Sequence, residues 1–311
     1  MAEILVTGGA GYIGSVLVPT LLRGGHRVTV VDNFMYGQAS LLDVCHDPNL
    51  TIVRGDARDK RVMECAVWGK DILIPLAALV GAPLCARRPD DAISTNFESI
   101  RLLLSVRTAD QKVIYPTTNS GYGIGEVDIA CDEETPLKPI SLYGRTKCDA
   151  EAAVLEGGNA VAFRLATVFG VSPRMRLDLL VNDFTYRAFT DSFLVVFEGH
   201  FKRNYIHVRD VAGAFCHAIG QFNAMRDQAF NVGLSSANLS KLELCEQIRQ
   251  HLPHFYFTEA TVGQDPDKRN YIVSSAKIEA TGFHPRYSLD DGIEELIKAF
   301  QIIKRNEFSN V

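Results

Sequence analysis

The chain has 311 residues, 47% of them hydrophobic and 22% charged, which suffices for two lobes around a full core and excludes a disordered segment or a small disulfide scaffold. Thirty-two Lys and Arg against 37 Asp and Glu give a net charge of −5 with no basic run, so no nucleic-acid partner is expected. The longest apolar stretch, Ile72–Leu84, is broken by Pro75 and Gly81 and is shorter than the roughly 20 residues of a membrane-spanning helix, so no membrane association is expected. The opening Met-Ala-Glu enters an apolar run at Ile4 without a basic leader or a small-residue cleavage site, which makes a cytoplasmic location the expectation. Seven scattered cysteines without a Cys-x-x-Cys pair read as reduced packing residues.

Short β-branched runs at Ile4–Thr7, Val28–Val31, Thr51–Val53, Asp71–Ile74 and Lys112–Tyr115 alternate with longer helical patterns, a βαβ rhythm. Val28–Val31 and Ile72–Ile74 are apolar almost without alternation, as strands covered by helices on both faces must be. The fold class is therefore α/β with a doubly wound parallel sheet. A helix is expected over Ser141–Glu156, followed by the apolar run Ala160–Leu165 and an irregular stretch, Ser172–Asp178. We place a first lobe over residues 1–165 and a smaller C-terminal lobe over 166–311. Within the second, Tyr205–Val208 and Phe230–Val232 read as strands, with segments near 205–233 as candidates to return to the first sheet. Ser240–Leu252 and Leu289–Arg305 read as amphipathic helices, and the aromatics Phe255–Phe257 alternate as a core strand would. His251 and His254 have no carboxylate or Cys cluster to complete a metal site, and no metal is expected.

Between the first strand and the first helix, Gly8, Gly11 and Gly14 stand at i, i+3 and i+6, a Rossmann-type dinucleotide fingerprint. Gly8 allows the tight turn, Gly11 lets the backbone approach a pyrophosphate, and Gly14 lets the helix close on the strand with its N-terminus toward the anion. Eighteen residues after Gly14 the second strand ends at Asp32, whose carboxylate can accept the ribose hydroxyls of NAD and would repel the 2′-phosphate of NADP. No Arg or Lys follows in Asn33-Phe34-Met35, so NAD is favoured. Asp56, after the third strand, is a candidate adenine contact.

Tyr143-Gly-Arg-Thr-Lys147 puts a phenol and an ammonium four residues apart on one face of the expected helix. Moving a phenol from near 10 to about 7 requires roughly 4 kcal/mol, which a cation about 4 Å away supplies at an effective dielectric of about 20. Alone the pair is a common surface motif. With the glycine turn, Asp32 and the hydroxyl-rich stretch Tyr115-Pro-Thr-Thr118-Asn-Ser-Gly-Tyr-Gly123, it completes the order expected of one site.

That combination resembles the extended short-chain dehydrogenase/reductase family of sugar-nucleotide enzymes over essentially the whole chain. The resemblance implies a Rossmann-type sheet with a C-terminal substrate-binding lobe, Tyr143 as general base, Lys147 lowering its pKa and holding the nicotinamide ribose, and Thr118 binding the reacting hydroxyl. Ala77 and Ala78 match the segment along the cofactor, and further cofactor contacts are implied at Tyr12, Ile13, Asn33, Ala57 and Leu76. Asn96 matches a structural Asn before a helix that, with the Tyr143 helix, forms a homodimer interface in the family. Arg203 resembles the Arg that grips the nucleotide diphosphate, with Arg209 and Asp210 structural. Arg269, in Asp267-Lys-Arg269, stands near a phosphate-binding position at a departing spacing.

Sugar-nucleotide 4,6-dehydratases of this family carry an Asp-Glu pair directly after the Thr, because eliminating water needs a general acid and a general base. Here the pair is Asn119-Ser120, which disfavours dehydration. Three longer blocks, Ile74–Leu84, Thr118–Glu126 and Phe163–Gly170 continuing through Met175–Phe184, resemble the branch of the family that oxidises C4 of GDP-D-glycero-α-D-manno-heptose in capsule synthesis. This implies a GDP-sugar substrate, contacts from Val80, Asn119, Ser120 and Arg176, and tightly held NAD/NADH regenerated by a small acceptor such as 2-oxoglutarate. A 4-epimerase using the same Thr118, Tyr143 and Lys147 stays open. A non-catalytic dinucleotide sensor would not need that set.

Overall fold

The computed structural model describes residues 1–125, 129–262 and 269–303. Its strands in chain order are β1 (Glu3–Thr7), β2 (Arg27–Asp32), β3 (Leu50–Arg54), β4 (Ile72–Pro75), β5 (Lys112–Thr118), β6 (Ala130–Cys131) and β7 (Ala160–Leu165). They continue as β8 (Thr167–Phe169), β9 (Phe193–Val196), β10 (Lys202–His207), β11 (Gln228–Val232), β12 (Asn238–Ser240), β13 (Tyr256–Glu259) and β14 (Ile272–Val273). Seven of them form one parallel sheet in the order β11-β7-β5-β4-β1-β2-β3. The expected α/β class and doubly wound parallel sheet are therefore found.

Helices cover both faces of this sheet, and β1 shows why its sequence is uniformly apolar. Ile4 and Val6 join a core with Leu17 and Leu21 of helix α1 (Gly14–Arg23), whereas Leu5 joins Met63 of α2 (Lys60–Val67) on the opposite face. All three β1 residues are fully buried, so successive side chains have no solvent face on which a polar residue would be cheaper. After β4 the chain forms the short helices α3 (Ala82–Arg87) and α4 (Pro89–Ile93), an irregular turn, and α5 (Ser99–Val106). Asn96 in that turn accepts from Leu79 N at 2.7 Å and donates to Leu79 O at 2.9 Å.

Of the two strands expected in the second half, Phe230–Val232 lies in β11 and closes the edge of the main sheet against β7. Tyr205 lies in β10, which instead pairs with β8 and β12 in a separate three-stranded sheet. A further hydrophobic core is formed largely by C-terminal residues: Val181 and Phe184 of helix α7 (Leu180–Thr190) pack with Tyr205, Leu244 and Leu296. Chain order there gives α8 (Val208–Gly220), α9 (Phe222–Met225), α10 (Lys241–His251), α11 (Ala276–Glu279) and α12 (Leu289–Ala299). The last helix ends before the expected Arg305, which lies outside the described residues. Phe255 is buried in this core and Phe257 packs against it, whereas Tyr256 between them is 62% exposed, the alternation expected of a strand with one face on the core. Among the described residues no helix is long and apolar enough to cross a membrane.

Helix α6 (Leu142–Glu156), which carries Tyr143 and Lys147, starts at Ser141, whose hydroxyl accepts from Gly144 N. It is anchored to β7 by a buried ion pair. Arg164 donates to Glu151 Oε1 at 2.9 and 2.7 Å and to the Tyr122 hydroxyl at 3.1 Å. Removing one member of such a pair strands the other charge in the core. Arg164→Leu is expected to lower the unfolding free energy by about 3–5 kcal/mol in urea denaturation, with Glu151→Leu added in the same chain restoring part of the loss; a single-variant loss below about 1 kcal/mol would mean the pair does not anchor the helix.

Candidate active site

The turn after β1 is shaped by contacts too close for side chains. Gly8 has φ +70°, and a Cβ there would lie 2.6 Å from Ala77 N and 2.7 Å from Ala77 Cα, so the turn rests directly on the backbone that leaves β4. A Cβ on Gly14 would lie 2.5 Å from Gly9 O, so its bare backbone makes room for the turn itself. The approach to a strand, expected of Gly14, is made by Gly9, whose Cβ would stand 2.8 Å from both methyls of Val30 on β2. Gly11 would meet only Gly8 O, at 3.0 Å, leaving its outer side open to a ligand.

Asp32 ties this turn to the loop after β2: its carboxylate accepts from Ala10 N at 3.0 Å and from Phe34 N at 2.8 Å. Asp56 accepts from Arg58 Nε at 2.9 Å and Nη2 at 2.8 Å, which holds its carboxyl below the usual range. Gly8, Gly11, Gly14, Asp32 and Asp56 line one cavity of about 580 Å³, within the range of small-molecule sites. Its nucleotide half has Gly8, Gly11, Tyr12, Ile13 and Gly14 on one wall, Asp32, Asn33, Asp56 and Ala57 at one end, and Leu76, Ala77, Ala78 and Val80 beneath. The bare turn, the carboxylate of Asp32 and the apolar floor fit a dinucleotide, which these residues would hold.

The same cavity continues past Thr118, Ser120, Tyr143 and Lys147 to Arg176, Arg203 and Arg269. Of the residues singled out in the sequence for cofactor or substrate contacts, Asn119 alone does not line it; its side chain is buried behind the wall, 1% exposed. Thr118 Oγ1 donates to Ser120 Oγ at 2.9 Å and accepts from Ser120 N at 3.1 Å, and Arg269 Nη1 also donates to Ser120 Oγ. Arg176 makes a fork on Asp178, at 2.6 and 3.2 Å. Asp267 and Lys268 lie outside the described residues. Arg209 and Asp210 stand away from the cavity: Arg209 pairs with Glu295 at 2.7 Å, and Asp210 accepts from Arg286 N and Tyr287 N.

The electrostatics differ from the simple expectation for Tyr143 and Lys147. Burial pushes the Tyr143 phenol up to about 12, opposed by Arg176, Arg269 and a hydrogen bond from Thr118. Burial also pulls Lys147 down to about 7, against the attraction of Glu151. Its ammonium lies 4.1 Å from the Tyr115 ring centroid, and the cations that act on the phenol are the two arginines. Desolvation penalises both charged forms, and here it outweighs the opposing charges. Sequence reasoning missed Tyr36, Arg58, Arg174 and Asp178 on the cavity wall. The spacing Arg174-x-Arg176-x-Asp178, three charged residues at alternate positions among apolar ones, was the available signal.

Residues 4–233 match the NAD dependent epimerase/dehydratase family. The chain belongs to that family. It is 28% identical over 309 residues to the low-salt glycan biosynthesis protein Agl12 of Haloferax volcanii, covering 95% of this chain and 97% of that one. It is 28% identical to a dTDP-glucose 4,6-dehydratase of Streptomyces niveus over 319 residues, 96% of this chain and 93% of that one. The fold superposes on the UDP-glucose 4-epimerase of Thermotoga maritima with a TM-score of 0.83 at 25% identity, covering 96% and 98% of the two chains. The protein is thus an NAD-dependent enzyme of the nucleotide-sugar epimerase/dehydratase type.

The depressed Lys147 has a consequence for stability. Between about pH 7 and the ordinary lysine value of 10.5 the unfolded chain binds a proton at this position that the folded chain has lost, so Lys147 makes ligand-free protein more stable as pH rises through that window. Lys147→Met is expected to flatten the rise, read as the difference between wild-type and variant unfolding free energies at pH 7 and pH 9.5; parallel pH profiles would show that Lys147 stays charged in the fold.

Proposed function

We propose that this enzyme oxidises the C4 hydroxyl of a nucleotide-activated sugar to the 4-keto sugar and releases that product without eliminating water. The observation that carries the reading is the surroundings of Thr118. Its neighbours along the chain are Asn119, buried off the cavity, and Ser120, whose hydroxyl is held by Thr118 and Arg269. Neither side chain titrates near neutrality, so the acid and base that dehydration needs are missing beside the reacting carbon.

In this reading Thr118 Oγ1 and the Tyr143 phenol bind the C4 hydroxyl, and Tyr143 takes its proton as the C–H bond breaks. Bound NAD supplies the acceptor for the hydride lost from C4 and a positive charge beside the phenol. Lys147 holds the ribose next to it, and Arg176 and Arg269 favour the phenolate. Arg203 and Arg269 bind the nucleotide diphosphate as guanidinium forks. We take the substrate to be GDP-D-glycero-α-D-manno-heptose, supported by the likeness of the sequence blocks Ile74–Leu84, Thr118–Glu126, and Phe163–Gly170 with Met175–Phe184 to that branch of the family. We take 2-oxoglutarate to be the compound that reoxidises the cofactor, itself reduced to a 2-hydroxy acid.

The test is incubation of purified protein with GDP-heptose or GDP-mannose, with and without 2-oxoglutarate, in deuterated water. A product two mass units lighter, formed catalytically only with the oxo acid, is the expected result. An unchanged mass with inverted C4 makes the protein an epimerase, and loss of water makes it a dehydratase; either overturns the proposal. Tyr143→Phe is expected to lower kcat by about 10²-fold or more with little change in KM, and retention of wild-type turnover would remove Tyr143 from the chemistry.

A further inference from the structure

Strand β5 meets helix α6 with alternate side chains. Tyr115 and Thr117 project from the same face of the strand, and both touch Lys147. The Thr117 hydroxyl donates to Lys147 O at 3.5 Å, and the Lys147 ammonium lies over the Tyr115 ring, 4.1 Å from its centroid. The strand thus holds the lysine by its backbone and by its charged end, and its next residue is Thr118. Tyr115 is fully buried in a core shared with Leu103 of α5 and with Ala150 and Val154 of α6. Its hydroxyl has no hydrogen-bond partner among the described residues, so what Tyr115 offers the site is its ring face.

The charged and titratable groups around Lys147 are Tyr143, Cys148 and Glu151 on α6, Tyr115 on β5 and Arg164 on β7. Glu151 attracts the ammonium through space, but its carboxylate is gripped by Arg164 at 2.7 Å. Burial drives the Tyr115 phenol well above its ordinary value, so the ring beneath the ammonium is neutral. A neutral ring attracts a cation through its quadrupole, more strongly where water is excluded, and brings no second charge to be desolvated. It favours the protonated form of Lys147 at a position where burial favours the neutral one.

We propose that Tyr115 is a positioning residue for Lys147: its ring seats the ammonium on the strand that carries Thr118, so that the lysine is held in place beside the cofactor and the base. The proposal rests on the reading of Lys147 as the residue that holds the nicotinamide ribose next to Tyr143. A carboxylate hydrogen-bonded to the ammonium in place of the ring would compete with the ribose for its N–H groups and offset its charge beside the phenol. A ring does neither.

The experiment is competitive labelling of wild type, Tyr115→Phe and Tyr115→Leu with trace acetic anhydride across a pH series. Lys147 lines the cavity, which so small a reagent can enter, and its acetylation is read by peptide mass spectrometry against that of the exposed lysines. Only the neutral amine reacts, so the midpoint reports the protonation of Lys147 in place and requires no turnover. The wild-type midpoint is expected at about 7. Tyr115→Phe, which keeps the ring, should keep that midpoint, whereas Tyr115→Leu should lower it by about one pH unit and lower kcat with little change in KM for the sugar nucleotide. An unchanged midpoint in Tyr115→Leu overturns the proposal, as does a shift in Tyr115→Phe as large as in Tyr115→Leu, which would assign the effect to the hydroxyl. If Tyr115→Leu does not fold, phenylalanines of increasing fluorine content are introduced at position 115. Fluorine weakens the attraction of the ring face for a cation and leaves the ring shape, so the midpoint should fall as fluorines are added, and a constant midpoint overturns the proposal equally. A wild type that neither binds NAD nor oxidises a sugar nucleotide would instead bring down the redox reading on which the proposal stands, a failure the labelling midpoints do not share.

Discussion

The contact between Gly8 and Ala77 is the constraint from which the cavity is built. A turn that leaves no room for a methyl group fixes the end of β1 against the end of β4, and both strand ends then serve as floor for the dinucleotide. The registration is passed on by half-buried and buried side chains. Asp32 ties the glycine turn to the β2 loop, and Asn96 clamps Leu79 and reaches Thr146 Oγ1 at 3.4 Å. Thr146 stands between Tyr143 and Lys147, so the helix bearing the proposed base is indexed, through three short links, to the same turn that would hold the cofactor.

Much of this was legible in the sequence because it depends on local rules. Strands β1, β2, β4 and β5 announce themselves by apolar runs that only two-sided burial explains, and Gly8 by a turn that only glycine makes with φ +70°. What failed to show depends on contacts between distant segments. Nothing in Tyr205–Val208 or Phe230–Val232 says which sheet each joins, because both runs are buried and β-branched or aromatic alike. Gly14 and Gly9 exchange the role of closest approach to a strand, since the spacing of glycines does not reveal where the neighbouring Val30 sits. Arg174 was hidden for the same reason: its place on the cavity wall comes with contacts to Ser15 and Tyr36, which are separated from it by up to 159 residues.

Burial in this site works against the chemistry proposed for it. A phenol pushed to about 12 is a poor base, and a lysine drawn to about 7 is only partly charged near neutrality. Both displacements have one cause, the removal of water, and both act on groups that a bound sugar nucleotide and its redox partner would surround. Arg176 and Arg269 already pull the phenol toward ionisation, but each is shared: Arg176 with Asp178, and Arg269 with Ser120. A diphosphate that draws Arg269 away from Ser120 would change the hydrogen bonding of Thr118 as well, because the Ser120 hydroxyl is the acceptor of both.

That coupling separates this site from one built for elimination. An acid-base pair beside the threonine would give the 4-keto sugar an immediate onward reaction, since the proton next to the ketone is acidic and the leaving hydroxyl needs only a donor. Here the position next to Thr118 is taken by Asn119, turned into the protein, and the following hydroxyl is committed to a guanidinium. On the proposed reading, the outcome is decided by whether the keto sugar leaves or turns over within the cavity. An epimerase must let the sugar rotate while the diphosphate stays anchored, and a dehydrogenase must release it while the cofactor stays.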